Sequence, residues 1–483
     1  MNKQITLIAT MLLLIANFLF CTPASAQRIA AGHSFGIALC NDSIANSWGE
    51  NTNGQLGDST LINRPDPVPV YGITGIIAIA GGASHTVALR SDSTVWAWGS
   101  NAHGQLGDST TTQRLSAVQV TGLSGIIAIS SGGQHSLALK SDGTVWAWGY
   151  NWKGQLGDNT ITDRLTPVQV HDSSNTAFLS GIVAIAGGDN HSIALQNDGT
   201  IWAWGHNQYG KLGDGTNNDR WLPVHVHDSA DVGFLFNVIA IATSEYANHT
   251  LALKSDSTVW AWGYNLKGQL GNGTANNNIN PLPMPIDTVG IGGGFIAIAC
   301  GGNHSLALKN DGMVWAWGWN NNGQLGDSST LDKHSAVKVK PNFGGGIISI
   351  AAGYYHSLAL KNDNTVWAWG EDALGQLGNG AGGNSTTPIL TNSCLSTAIE
   401  EISGNLSLTV IPNPSNGNFI VENHKKYQSM RLNICNIMGE KIYQSEITNA
   451  KSEINISGQP NGIYFLTLSN SQTLVTWKIV IQH

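Results

Sequence analysis

The stretch WAWGSNAHGQLGD at residues 96–108 returns as WAWGYNWKGQLGD at residues 146–158, and this repetition decides the fold of the 483-residue chain. The glycine that closes the WAWG motif recurs at Gly49, Gly99, Gly149, Gly205, Gly263, Gly318 and Gly370. A histidine keeps step with it, at His33, His85, His135, His191, His249, His304 and His356. Seven copies at intervals of 50 to 58 residues predict an array of structural repeats.

One repeat, residues 125–170, is typical of four short strands. Residues 125–129 and 136–140 are rich in apolar and β-branched residues, and a hairpin signal, Asp142-Gly143, follows them. Such a turn would place both residues at positive φ. Residues 145–148 alternate large and small side chains, which puts Trp146 and Trp148 on one strand face. With a short edge strand at 167–170, each repeat forms a four-stranded sheet, and the pattern predicts an all-β, seven-bladed β-propeller.

These motifs resemble the repeat of the regulator of chromosome condensation family. The resemblance rests on the Ala-Gly-Gly-x-His-Ser-Leu-Ala-Leu run, the Asp-Gly-Thr-Val-Trp-Ala-Trp-Gly strand and the Gly-Gln-Leu-Gly-Asp loop. It covers about residues 28–391 and implies a seven-bladed propeller. The first repeat departs most from the pattern, because Asn46 stands where the first tryptophan is expected and Gly32-His33 lacks the usual spacer. We expect this repeat to lie at the ring closure.

The residues that recur in every repeat are expected to be structural. Each large tryptophan ring should fill the wedge between neighbouring blades and bury about 150–250 Å². The histidines should hydrogen-bond to the backbone within their own blade. The residues assigned to this structural role are His85, His135, His191, His249, His304, His356, Trp96, Trp98, Trp146 and Trp148.

The start of the chain has the features of a secretory signal. Residues 1–26 combine Lys3, an apolar stretch at 5–20 and a small-residue cleavage site at 24–26. The apolar stretch is too short to span a bilayer comfortably. The mature propeller domain is therefore predicted to occupy residues 27–391.

The end of the chain has a different composition. Residues 392–404 are predicted to be a linker, and residues 405–483 a separate domain. Pro412-Asn413-Pro414 and Gly462-Ile463-Tyr464 make this domain resemble the C-terminal sorting domain, type A, of the type IX secretion system. The resemblance implies a small β-sandwich that engages the type IX secretion machinery. It implies that the protein is extracellular or lies on the outer cell surface.

Composition excludes several classes of function. Charged residues make up 11% of the chain against about 25% in an average domain. The net charge is −8, and a basic patch that could bind nucleic acid is missing from the sequence. After residue 26 no apolar stretch is long enough to span a membrane. The four cysteines after residue 26, Cys40, Cys300, Cys394 and Cys435, match no zinc-binding spacing, and their disulfide state is left open. A monomer is expected.

Candidate catalytic and metal-binding motifs have structural explanations. The His-Ser and His-Thr steps look like base–nucleophile pairs, but catalysis needs one asymmetric arrangement with an orienting third group. The Gly-Asp-x-Thr stretches, of which 214–219 is the richest, offer one acidic or amide residue per blade, whereas calcium needs several clustered oxygens. The sequence also lacks the Gly-x-x-x-x-Gly-Lys-Ser/Thr phosphate loop. We predict no catalytic residue, no metal and no cofactor.

Comparison of the repeats with one another points to a binding surface. The loop before each repeat histidine and the Gly-x-Asn-x-x-Gly loop should emerge on the same face of the propeller. Their variable positions are aromatic or histidine in blades three to seven, while blades one and two offer Glu50, Ser100 and His103. Exposed Tyr and Trp are typical anchors of interfaces, although some of these rings could instead pack against neighbouring loops. The predicted binding residues are Tyr150, Trp152, His206, Tyr209, Tyr246, Tyr264, Trp319, Tyr354 and Tyr355.

The sequence therefore favours an exported, non-enzymatic propeller that recognises a protein or a glycan through this aromatic face. The family resemblance implies two alternatives, inhibition of an extracytoplasmic enzyme of the β-lactamase type and guanine-nucleotide exchange on a small GTPase. Export argues against the exchange activity, since neither a GTPase nor its nucleotide is expected outside a bacterium. A lyase or hydrolase with its site in the central funnel is a further alternative, but the sequence shows no lone acidic or histidine cluster for it.

Overall fold

The computed structural model describes residues 28–40, 44–340, 345–393, 408–411, 415–423, 430–436, 441–447, 451–469 and 474–481. The chain divides into two compact units, with the boundary between Cys394 and Leu395. The predicted signal sequence and residues 394–404 of the predicted linker lie outside the described residues.

The first unit consists of four-stranded antiparallel sheets, each formed by strands that follow one another along the chain. Blade 1 contains β1 (Ile29–Ala31), β2 (Phe35–Leu39), β3 (Ala45–Gly49) and β4 (Arg64–Pro69). Blade 2 contains β5 (Ile76–Gly81), β6 (His85–Arg90), β7 (Val95–Gly99) and β8 (Arg114–Gln119). Blade 3 contains β9 (Ile126–Ser131), β10 (His135–Lys140), β11 (Val145–Gly149) and β12 (Arg164–Gln169).

Blades 4 to 7 repeat this arrangement. Blade 4 contains β13 (Ile182–Gly187), β14 (His191–Gln196), β15 (Ile201–Gly205) and β16 (Arg220–His225). Blade 5 contains β17 (Val238–Ala242), β18 (His249–Lys254), β19 (Val259–Gly263) and β20 (Met284–Pro285). Blade 6 contains β21 (Phe295–Cys300), β22 (His304–Lys309), β23 (Val314–Gly318) and β24 (Lys333–Lys338). Blade 7 contains β25 (Ile347–Ala352), β26 (His356–Lys361), β27 (Val366–Gly370) and β28 (Ser385–Leu390). The prediction of a seven-bladed propeller is confirmed.

The hairpin turn of blade 3 differs in detail from the prediction. Gly143 has φ 79°, but Asp142 is not among the residues with positive φ. The Gly143 N–H donates to Lys140 O, and the Asp142 carboxylate accepts the N–H and hydroxyl of Thr144. The expectation that both turn residues take positive φ was therefore wrong. A type I turn followed by one left-handed residue explains why Ser93, Ser257 and Asn364 also serve at that position.

Neighbouring blades are joined by the second tryptophan of each repeat. Its indole N–H donates to a main-chain carbonyl of the preceding blade over 2.8–2.9 Å, as from Trp98 to Gln55 and from Trp48 to Gln376. These seven rings are fully buried: Trp48, Trp98, Trp148, Trp204, Trp262, Trp317 and Trp369. A Cβ on Gly57 would lie 2.7 Å from the Trp98 Nε1, so the Gln-Leu-Gly glycine leaves space for the ring.

The first tryptophan of the repeat has a lesser role. Trp96 and Trp146 lie on the same strand face as Trp98 and Trp148, as the alternation predicts, but they are only half-buried. Trp96 donates to the Thr94 hydroxyl of its own blade at 3.1 Å. The wedge between blades is therefore filled mainly by the second ring of each pair.

The repeat histidines also connect blades, which corrects the expectation of backbone bonds within one blade. His85 Nε2 lies 3.0 Å from Ser136 Oγ of the next blade, and that hydroxyl donates to Gln105 O. Because the hydroxyl hydrogen is used there, the histidine Nε2 must carry the proton it shares with Ser136. The same pairing joins His135 to Ser192, His249 to Ser305 and His304 to Ser357, and His191 reaches Thr250 at 3.4 Å.

Blade 1 lies at the ring closure, as predicted. Beside the Trp48 contact, Arg28 donates to Asn364 Oδ1 and Asn392 donates to Asp66 Oδ1, so both ends of the propeller chain contribute. His33 is not the counterpart of the other repeat histidines. Phe35 pairs with Gly49 as His85 pairs with Gly99, so a phenylalanine occupies the histidine position of this blade.

The Gly-Asp-x-Thr stretches form a polar network within each blade. Asp58 accepts hydrogen bonds from the Asn51 amide, the Thr60 hydroxyl and Arg64 Nε. Hydrogen bonds from Thr60, Arg64 and Asn51 outweigh the desolvation by burial and hold the pKa of Asp58 below its usual range. Asp214 in the stretch 214–219 is bound in the same way, so its carboxylate is already occupied.

The second unit is a small β-sandwich. One sheet contains β29 (Leu408–Ile411), β30 (Asn418–Asn423) and β33 (Lys451–Asn455). The other contains β31 (Met430–Asn436), β32 (Lys441–Ile447), β34 (Gly462–Ser469) and β35 (Leu474–Ile481). Both sheets contribute to one core, with Val421 and Ile454 from the first and Leu432, Leu466 and Ile479 from the second.

Replacement of Trp98 by alanine should destabilise the propeller far more than replacement of Trp96. Removal of the buried ring leaves a cavity and removes one of the two hydrogen bonds to the Gln55 carbonyl, which the Thr86 hydroxyl still reaches, and we expect a loss of about 3–5 kcal/mol in the free energy of unfolding. The Trp96→Ala variant, which loses a half-buried ring, is the matched control. Equilibrium urea denaturation measures both, and equal losses would contradict the assigned roles.

Blade 7 reverses the polar pair of the loop network, with Asp372 where other blades have asparagine and Asn379 where most have aspartate. Asp372 is 2% exposed, and its Oδ2 has no hydrogen-bond partner. Burial raises the pKa of Asp372 to about 6. The folded protein thus binds this proton more tightly than the unfolded chain does. The contribution of protonated Asp372 to the stability of the folded state is complete below about pH 4 and is lost as the pH rises through 6.

The Asp372→Asn variant should not lose stability as the pH rises through 6, because its amide does not ionise. Blade 5 already has an Asn265–Asn272 pair at these two positions, so the amide fits the loop. We expect the variant to exceed the wild type by about 1–2 kcal/mol at pH 8 and to match it at pH 4. Thermal and urea unfolding across this range measure the difference. A difference that does not change with pH would show that Asp372 is not the titrating group.

Candidate functional site

The two predicted loops of each blade lie side by side. The N–H of the residue after the WAWG glycine donates to the carbonyl of the residue before the repeat histidine, as from Tyr150 to Gln134 and from Trp319 to Asn303. The same bond joins Glu50 to Ser34 in blade 1. We call the surface formed by these two sets of loops the loop face.

The nine aromatic and histidine residues predicted for binding differ in exposure. Trp152 is 66% exposed and stands alone. The other eight are half-buried, because their rings pack against one another or against neighbouring loops. The alternative that some of the rings pack against their neighbours thus describes most of them, and only Trp152 presents a wide free surface.

Five rings form a cluster over the propeller axis, which we call the axial aromatic cluster. His33, Tyr246 and Tyr354 come from blades 1, 5 and 7, and their ring centroids are 4.8–5.2 Å apart. Tyr355 contacts Tyr354 at 4.1 Å, and Trp319 contacts Tyr355 at 4.8 Å. Such pairs contribute about 0.5–1.5 kcal/mol each beyond burial. His33, which the binding prediction omitted, is therefore part of this surface.

A pocket lies beside this cluster, with a volume of about 350 Å³. We call it the loop-face pocket. Its aromatic walls are Tyr150 and Tyr246, and His103 packs on Tyr150 at 4.5 Å. Its polar groups come from blades 2, 3 and 4: His103, Gln134, Lys153, Asp189, Asn190 and His206. Of the nine predicted residues, Tyr150, His206 and Tyr246 meet here.

Electrostatic effects make the pocket a hydrogen-bonding site rather than a charged one. Desolvation, helped by the nearby Lys211 charge, lowers the pKa of His206 to about 4, so its ring is neutral at pH 7. Burial raises the pKa of Asp189. Lys153 Nζ lies 3.1 Å from Asp219 Oδ2. His103 Nδ1 lies 2.7 Å from Asp163 Oδ2. His206 Nδ1 has no hydrogen-bond partner within the described structure.

Lys211 lies close to this pocket and breaks the repeat, because the other six blades have glutamine at its position. The side chain is fully buried, and its Nζ donates to Asn248 Oδ1 at 2.5 Å. Burial lowers the pKa of this amine to about 8. Sequence reasoning missed Asp189, Lys211 and Glu245, although each is a departure from the repeat that a position-by-position comparison of the seven copies would reveal.

The buried thiols and the metal candidates have no catalytic arrangement in the described part of the chain. Cys40 is disulfide-bonded, while Cys300 and Cys435 are free. Burial raises the pKa of the Cys300 thiol, which makes it a poor nucleophile. Among the residues with described positions, no group of three or more His, Cys, Asp or Glu side chains could hold a metal ion.

The repeats and the tail match two known families. The RCC1-like domain matches residues 17–297 and 124–420, which together cover most of the chain. The propeller belongs to the RCC1-like family. A secretion system C-terminal sorting domain, of the type IX class, matches residues 409–482. This tail indicates export to the cell surface or the extracellular space.

Several characterised relatives share the RCC1-like repeats. The ultraviolet-B receptor UVR8 of Arabidopsis thaliana is 32% identical over 200 residues, which is 41% of this chain and 43% of UVR8. The mitochondrial RCC1 domain-containing protein RUG3 of the same plant is 34% identical over 43% of this chain and 46% of its own length. The matched part thus spans less than half of each of these relatives.

Solved structures show the same fold at lower identity. Human WBSCR16 superposes with a TM-score of 0.62 at 24% identity, covering 72% of this chain and 93% of that chain. Yeast RCC1 (Prp20), solved bound to Kap60, superposes with a TM-score of 0.63 at 23% identity, covering 80% and 90%. The described residues contain no helix that is long and apolar enough to cross a membrane.

The packing of the axial aromatic cluster can be tested at Gly302. A Cβ at this glycine would lie 2.2 Å from the Tyr354 ring, so Gly302→Ala must displace it. We expect a loss of about 1–3 kcal/mol in the free energy of unfolding. In a Tyr354→Ala background the same change should cost little. A double-mutant cycle by urea denaturation measures the coupling, and additive losses would contradict the contact.

Proposed function

We propose that this RCC1-like protein is an exported, non-enzymatic binding propeller that recognises a glycan in the loop-face pocket. The observation that carries the proposal is the pocket itself, in which two tyrosine rings and six other polar side chains from four blades converge. Ligand sites are concave and combine aromatic walls with a few placed polar groups. A sugar offers both an apolar ring face and hydroxyl groups, and so fits this combination.

The chemistry of the pocket supports a neutral, hydroxyl-rich ligand. A neutral His206 can both donate and accept, and its Nδ1 is without a partner. The amide of Asn190 and the carboxyl of Asp189 add further hydrogen-bonding groups at the same wall. Trp152, which is 66% exposed, could extend the contact to a longer chain.

The buried His–Ser pairs support a non-enzymatic role. Each serine donates to a backbone carbonyl and each histidine is engaged across a blade boundary, so the pairs are used for folding. Desolvation keeps the pKa of His85 near 4, far from the range of a useful base. Guanine-nucleotide exchange, β-lactamase inhibition and lyase or hydrolase activity stay alternatives from the sequence.

A protein ligand is the second candidate, supported by the exposed Trp152 at the edge of the loop face. A large, isolated and exposed tryptophan is a typical hot-spot anchor of protein interfaces. The two candidates place the ligand on different residues, Tyr150 and His206 for a glycan and Trp152 for a protein.

The test is a glycan array probed with the full exported chain, followed by calorimetry on the strongest ligand. Tyr150→Ala and His206→Ala should each weaken binding, the first by about 30-fold for a lost ring of about 2 kcal/mol. Phe178→Ala, which removes a half-exposed ring outside the pocket, is the matched control and should bind as the wild type does.

Two results would overturn the proposal. One is a glycan whose affinity is unchanged by Tyr150→Ala and His206→Ala. The other is a lack of glycan binding together with a purified protein partner that is lost with Trp152→Ala and retained with Tyr150→Ala. The second result would assign the loop face to protein recognition instead.

A further inference from the structure

The inner strands of all seven blades surround a cavity on the propeller axis, with a volume of about 200 Å³. We call it the axial cavity. Most of its lining residues are alanine and isoleucine, for example Ile129, Ile185, Ile241, Ile298 and Ile350, but polar atoms form most of the surface that faces the cavity. On the share of about 30 Å³ that a water takes in the liquid, this space holds about six or seven waters or one small organic molecule.

Blade 5 breaks the symmetry of this cavity. The first strand residue and the repeat histidine are nine residues apart in blade 3, from Ile126 to His135, but eleven apart in blade 5, from Val238 to His249. The two extra residues lengthen the loop and bring Glu245 to the cavity wall. The carboxyl is 1% exposed. The funnel therefore holds one acidic group.

Three polar groups in the cavity wall have unused hydrogen-bonding capacity. Glu245 Oε1, Ser244 Oγ and Ser131 Oγ are buried and have no hydrogen-bond partner. Their residues are 1%, 7% and 6% exposed. An unpaired buried carboxyl or hydroxyl costs about 1–3 kcal/mol, so native proteins normally pair such groups with protein, water or ligand.

The charges around Glu245 are acidic or neutral. Asp189 approaches from the loop between β13 and β14, Cys300 from β21, and Tyr246 follows in the chain. Desolvation, with a smaller contribution from Asp189, raises the pKa of Glu245 well above its usual range. Among the described residues, no cation lies near the Glu245 carboxyl, and a cationic ligand would supply the missing positive charge.

We propose that the axial cavity binds a small organic ammonium ion, whose N–H groups donate to Glu245 Oε1 and to the hydroxyls of Ser131 and Ser244, and whose alkyl part lies against the isoleucine walls. An alkylammonium ion has three N–H donors, and the carboxylate oxygen and the two hydroxyls provide one acceptor for each of them. An anion would be repelled by Glu245. A divalent metal would need more carboxylate or imidazole ligands than the cavity provides.

The proton balance of binding follows from this site. Burial raises the pKa of Glu245 in the free protein, whereas an ammonium ion beside it favours the ionised carboxylate, so binding shifts the carboxyl proton toward solvent and leaves an ion pair in the cavity. The affinity should therefore rise with pH until Glu245 is ionised in the free protein. The site does not depend on the loop-face pocket, since Tyr150 and His206 do not line it.

The experiment is isothermal titration calorimetry of the full chain with propylammonium chloride at pH 7, 8 and 9. We expect saturable binding that tightens with pH and releases a proton, detected by repeating the titration in buffers of different ionisation enthalpy. Glu245→Gln should weaken binding at least tenfold, and Ser131→Ala to a smaller extent. Glu50→Gln, which changes a carboxyl outside the cavity, should bind as the wild type does. Thermal unfolding of each variant checks the fold.

Propan-1-ol and potassium chloride are the control ligands. Equal binding of the alcohol, or unchanged propylammonium affinity in Glu245→Gln, would overturn the ion pair. Tighter binding of potassium than of propylammonium would assign the site to an inorganic cation and overturn the organic ligand. A lack of heat with every probe would show that the cavity holds only water.

Discussion

The hydrogen bond from a buried tryptophan to the neighbouring blade is the interaction on which the propeller depends. Each indole N–H reaches a main-chain carbonyl of the Gln-Leu-Gly loop, and the ring itself fills the wedge between two sheets. An indole buried without a partner would cost free energy, so the bond fixes how each blade is placed against the next. The glycine beneath the ring and the histidine–hydroxyl bond nearby act at the same boundary. Because the chain closes into a ring through Trp48 and Gln376, every blade boundary is satisfied.

This repeated use of the same residues separates structure from function. A position occupied by the same residue type in most blades serves the boundary between blades, and most of its histidines, serines and tryptophans are buried and hydrogen-bonded across that boundary. Specific recognition requires asymmetry. It arises where one blade departs from the others: Lys211 in place of glutamine, the longer loop that carries Glu245, and the variable loop residues around Tyr150. Low charge is consistent with this arrangement, since the polar groups of the loop face are largely paired or neutral.

The loop-face pocket and the axial cavity are neighbouring but chemically distinct. Gly133 lies between them, and a Cβ there would meet the backbone oxygens of Asp189 and Glu245 at 2.8 and 2.9 Å. The pocket has aromatic walls and hydrogen-bonding side chains, whereas the cavity is lined mostly by alanine and isoleucine residues and holds one carboxyl. The axial aromatic cluster, centred on Tyr354, covers the same face. The two proposed ligands would therefore not compete for the same groups.

The sequence by itself determined the number of blades, the strand order within a blade and the strand-face pairing of the tryptophans, because these follow from local periodicity repeated seven times. The expectation of a sandwich for the tail came from its resemblance to a sorting domain. Only the tertiary structure decided what the repeated residues touch. The histidines bond across blades, His33 stands apart from them, and Phe35 takes their place, since a contact between chain segments about 50 residues apart leaves no local pattern. Contacts between different blades also decided which of the predicted aromatic side chains are exposed. The rings of Tyr246 and Tyr354 come from different blades and bury one another, whereas Trp152 has no such neighbour.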